Sequence, residues 1–276
     1  MKITITLFSL LSIIICCNEK PQQADQRESD EIKRKDSILI HQALTDALDI
    51  ADQNKTKTSF RYEFNHTLED SSKEIKTVLA MGYLFDEMSK HLIIRRTTPS
   101  EVILTIYSSE ANNFKLLVER TEWKLNYLND TIRDINGDSY NDYIIHTYPS
   151  SGCCLANVYH VYLYQKQTGY FTSAYKFLNP TFYPKEKIIR GLTYGHPGEA
   201  GLYKFKWSGI QLDTTEYIYP MDPEKKTFLK TSKETIHFTK DQGILLSNLP
   251  REYMSMDSIS LNWFMDNISI PNESGQ

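Results

Sequence analysis

The chain has 276 residues, of which 40% are hydrophobic and 24% are charged. This composition supplies enough apolar surface for a folded core and excludes an intrinsically disordered protein. The formal net charge of −4 at pH 7 excludes a basic nucleic-acid-binding surface. With 18 tyrosines and 12 phenylalanines, the composition favours strands.

The N-terminus predicts export. Lys2 precedes an apolar segment, residues 3–15, that is too short to span a bilayer as a helix. Cys16 and Cys17 end this segment, and polar residues follow. Residues 1–17 resemble a bacterial lipoprotein signal peptide, which implies lipidation of Cys17 and an anchor in the cell envelope, at the outer membrane facing the periplasm or the cell surface. An ordinary secretory signal, cleaved nearby, is the alternative.

The next segments predict a tether and then a helix. Residues 18–29 are polar and lack aromatic side chains, which is typical of a flexible tether. Ser29 is a candidate N-cap, and apolar residues recur at helical spacing from Ile40 to Ala51. We therefore predict a helical spacer over residues 30–55, followed by a single β-rich domain over residues 58–270.

Alternating segments separated by turns recur about every ten residues in this domain. The predicted strands are 59–64, 77–85, 91–96, 102–108, 114–123, 143–148, 158–165, 170–177, 187–192, 203–207, 210–219 and 235–239. Because no long helical pattern separates them, we predict an antiparallel meander, propeller-like or a sandwich, and not a parallel βαβ sheet. Residues 250–264 predict one or two short C-terminal helices packed on the sheet.

Residues 134–142, the Asp loop, combine oxygen donors in the spacing of a calcium loop. Asp134, Asn136 and Asp138 offer side-chain oxygens at positions 1, 3 and 5. Tyr140 offers its backbone carbonyl at position 7, and Asp142 a carboxylate at position 9. Because three aspartates in nine residues repel one another without a cation, we predict a structural Ca²⁺ ion. The alternative is a surface turn whose side chains accept hydrogen bonds from their own backbone.

The Asp loop differs from an EF-hand, because position 12 is Ile145 instead of Glu and position 6 is Ser139 instead of Gly. It resembles the loop of FG-GAP and related single-loop β proteins. More widely, residues 78–210 resemble a family of bacterial periplasmic lipoproteins with a propeller-like fold that inhibit lysozyme-like enzymes. The matching segments are residues 134–138 of the Asp loop, 161–164, 170–171, 179–180 and 203–207. This resemblance implies calcium ligation by the four Asp and Asn side chains and a protein partner, but it identifies no inhibitory residues.

Cys153 and Cys154 are adjacent in the sequence. Neighbouring cysteines on a strand would project to opposite sides and would chelate one metal poorly. In an oxidising compartment they predict a vicinal disulfide that stiffens the loop around Gly152, or an intermolecular bond. Two reduced, partly buried thiols are the alternative. Because the sequence has no C-x-x-C motif, it does not support redox catalysis.

The sequence contains no recognisable catalytic motif: G-x-S-x-G, H-x-x-x-H and H-E-x-x-H are all missing. His146 and His160 lie on separate predicted strands and could face one another, with a structural role. His196 and Glu199, in a Gly-rich loop, are the one acid–base pair of interest. The remaining candidate is an aromatic stripe that is mostly core, with any exposed part suited to binding protein or glycan: Tyr159, Tyr162, Tyr164, Tyr170, Tyr175, Phe177, Phe182 and Tyr183.

These observations predict a non-enzymatic, calcium-stabilised exported lipoprotein. We expect it to bind a protein partner, such as a lysozyme-like cell-wall lytic enzyme that it inhibits. The first alternative is a structural or carbohydrate-binding envelope lipoprotein of the same fold. The second alternative is a hydrolase whose catalytic residues the sequence does not reveal.

Overall fold

The structure, a computed structural model, describes residues 20–68, 72–110, 113–149, 151–222, 227–235 and 239–266. It confirms a mainly β protein with antiparallel sheets, an N-terminal helix and a short C-terminal helix. The predicted signal peptide, including Cys17, lies outside the described residues. None of the helices within them is both long and apolar enough to cross a membrane.

Helix α1 spans Lys20–Gln53, so it begins ten residues before the predicted start at residue 30. The segment predicted as a tether is therefore helical from Lys20 onward, and Ser29 lies inside the helix and does not cap it. Residues 22–28 contain Gln, Ala, Arg and Glu, which are good helix formers. Pro21 falls in the first turn, where its missing N–H costs no helical hydrogen bond.

The described strands form three larger antiparallel sheets and one short hairpin. The first sheet has the order β1-β2-β3-β4-β5. Its strands are β1 Phe60–Thr67, β2 Glu74–Gly82, β3 His91–Thr97, β4 Glu101–Ser109 and β5 Phe114–Trp123. All five were predicted from the sequence as strand-like segments separated by turns.

The second sheet, which we call the central sheet, has the order β11-β8-β7-β6. Its strands are β6 Tyr127–Arg133, β7 Asp142–Thr147, β8 Val158–Tyr162 and β11 Tyr175–Leu178. A two-stranded hairpin is formed by β9 Tyr164–Gln165 and β10 Tyr170–Phe171 around the turn at residues 166–169.

The third sheet runs in sequence order from β12 to β17. Its strands are β12 Pro180–Tyr183, β13 Ile188–Leu192, β14 Leu202–Ser208, β15 Gln211–Asp222, β16 Thr227–Thr231 and β17 Ile244–Leu246. A 3-10 helix at Arg251–Ser255 and helix α2 at Ser258–Phe264 follow, as predicted for the C-terminal segment. The strand predicted at 235–239 lies partly outside the described residues, and its described ends are not in a strand.

The three sheets stack face to face, and β7 shows how the sequence permits this. Tyr143 and Ile145 pack in a core shared with the first sheet, whereas Ile144 packs in a core shared with the third. Successive strand side chains point to opposite faces, so a strand buried on both faces is continuously apolar. The described sheets close into neither a barrel nor a propeller.

The two outer faces of the stack are covered by the ends of the chain. Ala47 and Ala51 of α1 pack on Leu79 of the first sheet. Tyr253 and Phe264 of the C-terminal segment pack on the far face of the third sheet. The central sheet is therefore the middle layer, and the Asp loop connects two of its strands.

Candidate functional site

The Asp loop joins β6 to β7 and contacts all three sheets. The side-chain amide of Asn141 donates to the carbonyl of Leu84, beside the first sheet, at 2.9 Å. On the other side, Nδ2 of Asn136 donates to the carbonyl of Gly209, in the turn between β14 and β15, at 3.4 Å. The loop is therefore placed where a structural ion would stabilise the contact between layers.

The first half of the loop is organised around Asp134. One carboxylate oxygen accepts the Gly137 N–H at 2.7 Å, and the other accepts the Ser139 N–H at 2.9 Å. Ser139 has a φ of 74°, the left-handed conformation that Gly at position 6 would supply. The departure from the usual calcium-loop sequence at Ser139 therefore leaves the backbone path intact.

Gly137 is required at position 4 for two reasons. Its φ is 74°, and a Cβ there would lie 2.1 Å from the carbonyl oxygen of Pro184 in the third sheet's first hairpin. The loop backbone therefore packs directly against the neighbouring layer. Only glycine leaves enough space for this contact between the two backbones.

Asn136 and Asp138 form hydrogen bonds with each other and with the backbone around them. Nδ2 of Asn136 donates to Oδ2 of Asp138 at 3.0 Å, and Oδ1 of Asp138 accepts the Tyr140 N–H at 2.9 Å. Asn136 is buried, with 2% of its surface exposed. Its side chain is thus held from both sides, by Asp138 within the loop and by the third sheet outside it.

Asp142 is fully buried at the start of β7. Its two carboxylate oxygens accept the N–H groups of Ile135 at 2.8 Å and Tyr164 at 3.0 Å. Burial, together with the nearby carboxylates of Asp138 and Asp134, raises the pKa of Asp142 to about 7, against the effect of these hydrogen bonds. A nearby cation would favour the ionised form.

The loop's chemistry fits calcium, because its donors are all oxygen. In this conformation the aspartates accept hydrogen bonds from backbone N–H groups, as expected for a surface turn without an ion. Each carboxylate oxygen nevertheless keeps a second lone pair that could bind a cation. Within the described residues, these carboxylates do not form a set of three ligand atoms all within 4.8 Å of one another. Calcium ligation would therefore require the side chains to close inward, and it stays a prediction.

Cys153 and Cys154 lie in the loop between β7 and β8, not on a strand. The expectation that they project to opposite sides is therefore wrong. Their Sγ atoms are 2.9 Å apart, Cys153 is exposed, Cys154 is buried, and both are free thiols. The vicinal disulfide stays a prediction.

His146 and His160 of the central sheet have different neighbours. His146 stacks on Tyr159, with ring centroids 4.1 Å apart, whereas the His160 ring lies 3.1 Å from Arg120 of the first sheet. The two imidazoles lie on opposite faces of the central sheet, so the expectation that they face one another is wrong. Nε2 of His196 lies 3.9 Å from the Cys153 sulfur.

Three of the eight residues in the predicted aromatic stripe, Tyr162, Tyr164 and Phe177, are each less than 10% exposed. Three more pack against the core while partly exposed, namely Tyr159, Tyr175 and Phe182. A group of exposed apolar side chains elsewhere in the chain was missed. It surrounds the turn after β5 and consists of Trp123, Leu125, Leu128 and Tyr148, which are 55%, 69%, 50% and 37% exposed. We call these four residues the turn patch. Its sequence signal was an apolar cluster at a turn, where polar residues are usual.

Comparisons with family models, with curated proteins and with solved structures each give no match. The resemblance to periplasmic lipoprotein inhibitors therefore rests on the sequence segments alone. The function has to be argued from the geometry of the chain itself.

Proposed function

We propose that the protein is a non-enzymatic binding protein of the bacterial cell envelope, anchored by lipid at Cys17 and stabilised by calcium at the Asp loop. The observation that carries the calcium proposal is the position of Asp142. Its carboxylate is fully buried between layers, and its pKa is raised to about 7 by burial and by neighbouring carboxylates. A bound cation would stabilise the ionised form and hold the three sheets together.

Thermal unfolding of metal-stripped protein tests the calcium proposal. Calcium at concentrations above its dissociation constant should raise the melting temperature, because it binds the folded state preferentially. Asp138→Asn should remove this increase while keeping the fold, since Asp138 accepts only one backbone N–H bond. Asp257→Asn is the matched control, because Asp257 also accepts a backbone N–H, at the start of α2, outside the loop. A melting temperature that calcium leaves unchanged would refute the proposal.

The proposed partner is a protein, and the turn patch is the proposed contact surface. Exposed aromatic and aliphatic side chains clustered on a turn are typical of interface anchors. The net charge of −4 favours a cationic partner, by steering its approach. Together with the sequence resemblance, these features favour a lysozyme-like cell-wall lytic enzyme as the partner.

An inhibition assay tests the partner. Purified protein should slow the lysis of cell-wall substrate by lysozyme-like enzymes, and a Trp123→Ser, Leu125→Ser double variant should lose this effect. Ile244→Ser, which changes a side chain that is 63% exposed on β17 of the third sheet, should retain it. Lysis at an unchanged rate in the presence of wild-type protein, across a panel of such enzymes, would contradict the inhibitor proposal.

The carbohydrate-binding alternative is favoured by the aromatic rings of Trp123 and Tyr148, which are exposed and could stack on sugars. Binding of the protein to purified peptidoglycan without any enzyme would support it. Release of soluble fragments by the protein alone would instead support the hydrolase alternative.

A further inference from the structure

We propose that Cys153, Cys154 and His196, which we call the Cys–His cluster, form a binding site for a thiophilic cation of the Zn²⁺ or Cu⁺ class. Within the described part of the chain, it is the one group of three or more His, Cys, Asp or Glu residues whose ligand atoms all lie within 4.8 Å of one another. Two sulfurs and an imidazole nitrogen favour soft and borderline cations over calcium or magnesium.

The two halves of the Cys–His cluster come from different layers. The cysteines lie between β7 and β8 of the central sheet, and His196 lies between β13 and β14 of the third sheet. The thiols are side by side because the chain is not extended there, so both can point at one ion. This removes the objection that adjacent cysteines chelate poorly.

The backbone around His196 is held in place by several contacts. Thr193 and Gly201 close the base of its loop: the Thr193 N–H donates to the Gly201 carbonyl at 2.7 Å, and the Gly201 N–H donates to Thr193 Oγ1 at 2.8 Å. Trp263 of α2 donates to the Gly195 carbonyl at 2.9 Å and accepts the Gly198 N–H at 2.9 Å. A ligand presented from such a fixed loop loses little conformational freedom on binding a metal.

The sulfur–nitrogen distance is close to that of a tetrahedral site, whereas the sulfur–sulfur distance is shorter. Zinc bonds of about 2.3 Å to sulfur and 2.0–2.1 Å to nitrogen place two sulfurs about 3.8 Å apart and a sulfur and a nitrogen about 3.6 Å apart. The Cys153 and Cys154 sulfurs are 2.9 Å apart, and the Cys153 sulfur is 3.9 Å from the His196 nitrogen. Rotation of the exposed Cys153 side chain would open the sulfur pair, and a shift of a few tenths of an ångström would close the other distance.

The site is open on one side. Cys154 is only 5% exposed, whereas Cys153 and His196 are exposed, so an ion can enter from solvent and be gripped against the protein. The hydroxyl of Tyr194 hydrogen-bonds the Cys154 sulfur, and a Cβ on Gly152 would lie 3.2 Å from that hydroxyl. Three protein ligands leave a fourth position for water or for Tyr194.

Cobalt titration of the reduced, metal-stripped full chain tests the proposal. Co²⁺ is the probe for Zn²⁺, because thiolate ligation gives an intense charge-transfer band, which equimolar Zn²⁺ should abolish. Competition with a coloured Cu⁺ chelator measures Cu⁺ binding and decides which of the two cations is held more tightly. Binding of one ion per chain is expected.

Variants identify the ligands. Mutating a residue that hydrogen-bonds a metal ligand typically lowers metal affinity by about 10–100-fold. Removing a ligand itself should cost at least as much, so Cys154→Ser and His196→Ala should each weaken binding at least about tenfold. His41→Ala, which removes an exposed histidine on α1, should leave binding unchanged. Asp138→Asn should also leave it unchanged, which separates this site from the Asp loop.

Three results would overturn the proposal. The first is the absence of a thiolate–cobalt band in reduced wild-type protein. The second is wild-type affinity in His196→Ala. The third is an intact mass, for protein purified without reductant, that is lower by two hydrogen atoms, because a disulfide between Cys153 and Cys154 would then be the native state and would remove both thiolate ligands.

Discussion

The Asp loop and the Cys–His cluster are two candidate ligand sites built in opposite ways. The Asp loop draws hard oxygen donors from nine consecutive residues and lies in the middle layer, with Asp142 fully buried. The Cys–His cluster draws soft donors from two separate loops and lies near the surface, with two of its three residues exposed. The first is visible in the sequence, and the second is created by the stacking of two sheets.

A site that is easy to recognise in the sequence does not necessarily depend on a metal for its stability. The Asp loop is locally satisfied, because Asp134 and Asp142 each accept two backbone N–H bonds. Among the described residues, the sulfurs of the Cys–His cluster have a hydrogen bond with Tyr194 but no comparable network of backbone N–H donors. The Asp loop should therefore matter for stability even without an ion, whereas the Cys–His cluster should matter for binding and little for stability.

The largest effect is expected at Gly137. In Gly137→Ala, the new Cβ would meet the Pro184 carbonyl and the residue would keep a left-handed backbone, so the free energy of unfolding should fall by about 3 kcal/mol or more. Urea unfolding measures it. Gly169→Ala is the matched control, because Gly169 has a φ of 72° with nothing within 4 Å of the added Cβ. That variant should lose only about 1–2 kcal/mol. Equal losses would mean that the contact with Pro184 is unimportant.

The next effect concerns Asp142. Asp142→Ala would leave the N–H groups of Ile135 and Tyr164 unpaired in the core, so it should cost about 2–4 kcal/mol in unfolding free energy, even with calcium chelated. Denaturant unfolding in the presence of a chelator measures it. Asp257→Ala, which frees one N–H at the start of α2, should cost only about 1 kcal/mol. If the Asp142 variant is no less stable than that control, the loop does not hold the layers together.

A pH-dependent effect is expected from His160 in the central sheet. Burial and the Arg120 guanidinium together lower the pKa of His160 from 6.5 to about 4, against the attraction of Glu122. Between these two pH values the unfolded chain binds a proton that the folded chain does not, so stability should fall as pH falls from 6.5 to 4. The loss due to this residue should be about 1–3 kcal/mol.

His160→Gln should remove that part of the acid sensitivity, as measured by urea unfolding at several pH values. His41→Gln, which removes an exposed histidine on α1, is the control and should keep the wild-type slope. A slope for His160→Gln that equals the wild-type slope would show that the buried imidazole is not the source.

The smallest effect is expected at the Cys–His cluster. Cys153→Ser changes an exposed side chain on a loop, so it should alter the free energy of unfolding by less than about 0.5 kcal/mol under reducing, metal-free conditions. Thermal unfolding of Cys153→Ser and Asp142→Ala under the same conditions measures the difference between the two sites. A loss as large as that of the Asp142 variant would break the distinction between the two sites.

Local pattern was sufficient for the features that depend on neighbouring residues. Strand-like segments bounded by turn residues located all five strands of the first sheet, and β5 has the same ends in the prediction and the structure, Phe114–Trp123. The Asp loop was recognisable because its donors are contiguous. Ser139 shows the limit, because only the structure reveals that it adopts the left-handed conformation expected of Gly.

Tertiary structure decided the rest, because alternation indicates that a face is buried but not what buries it. β6 was missed because Tyr127–Arg133 lies at an edge of the central sheet, where polar side chains break the apolar pattern. The assignment of Tyr143 and Ile144 to different cores, the meeting of His196 with Cys153, and the exposure of Trp123 all depend on how the sheets stack. Contacts between residues far apart in the chain carry no local signal, so a single sequence could not reveal them.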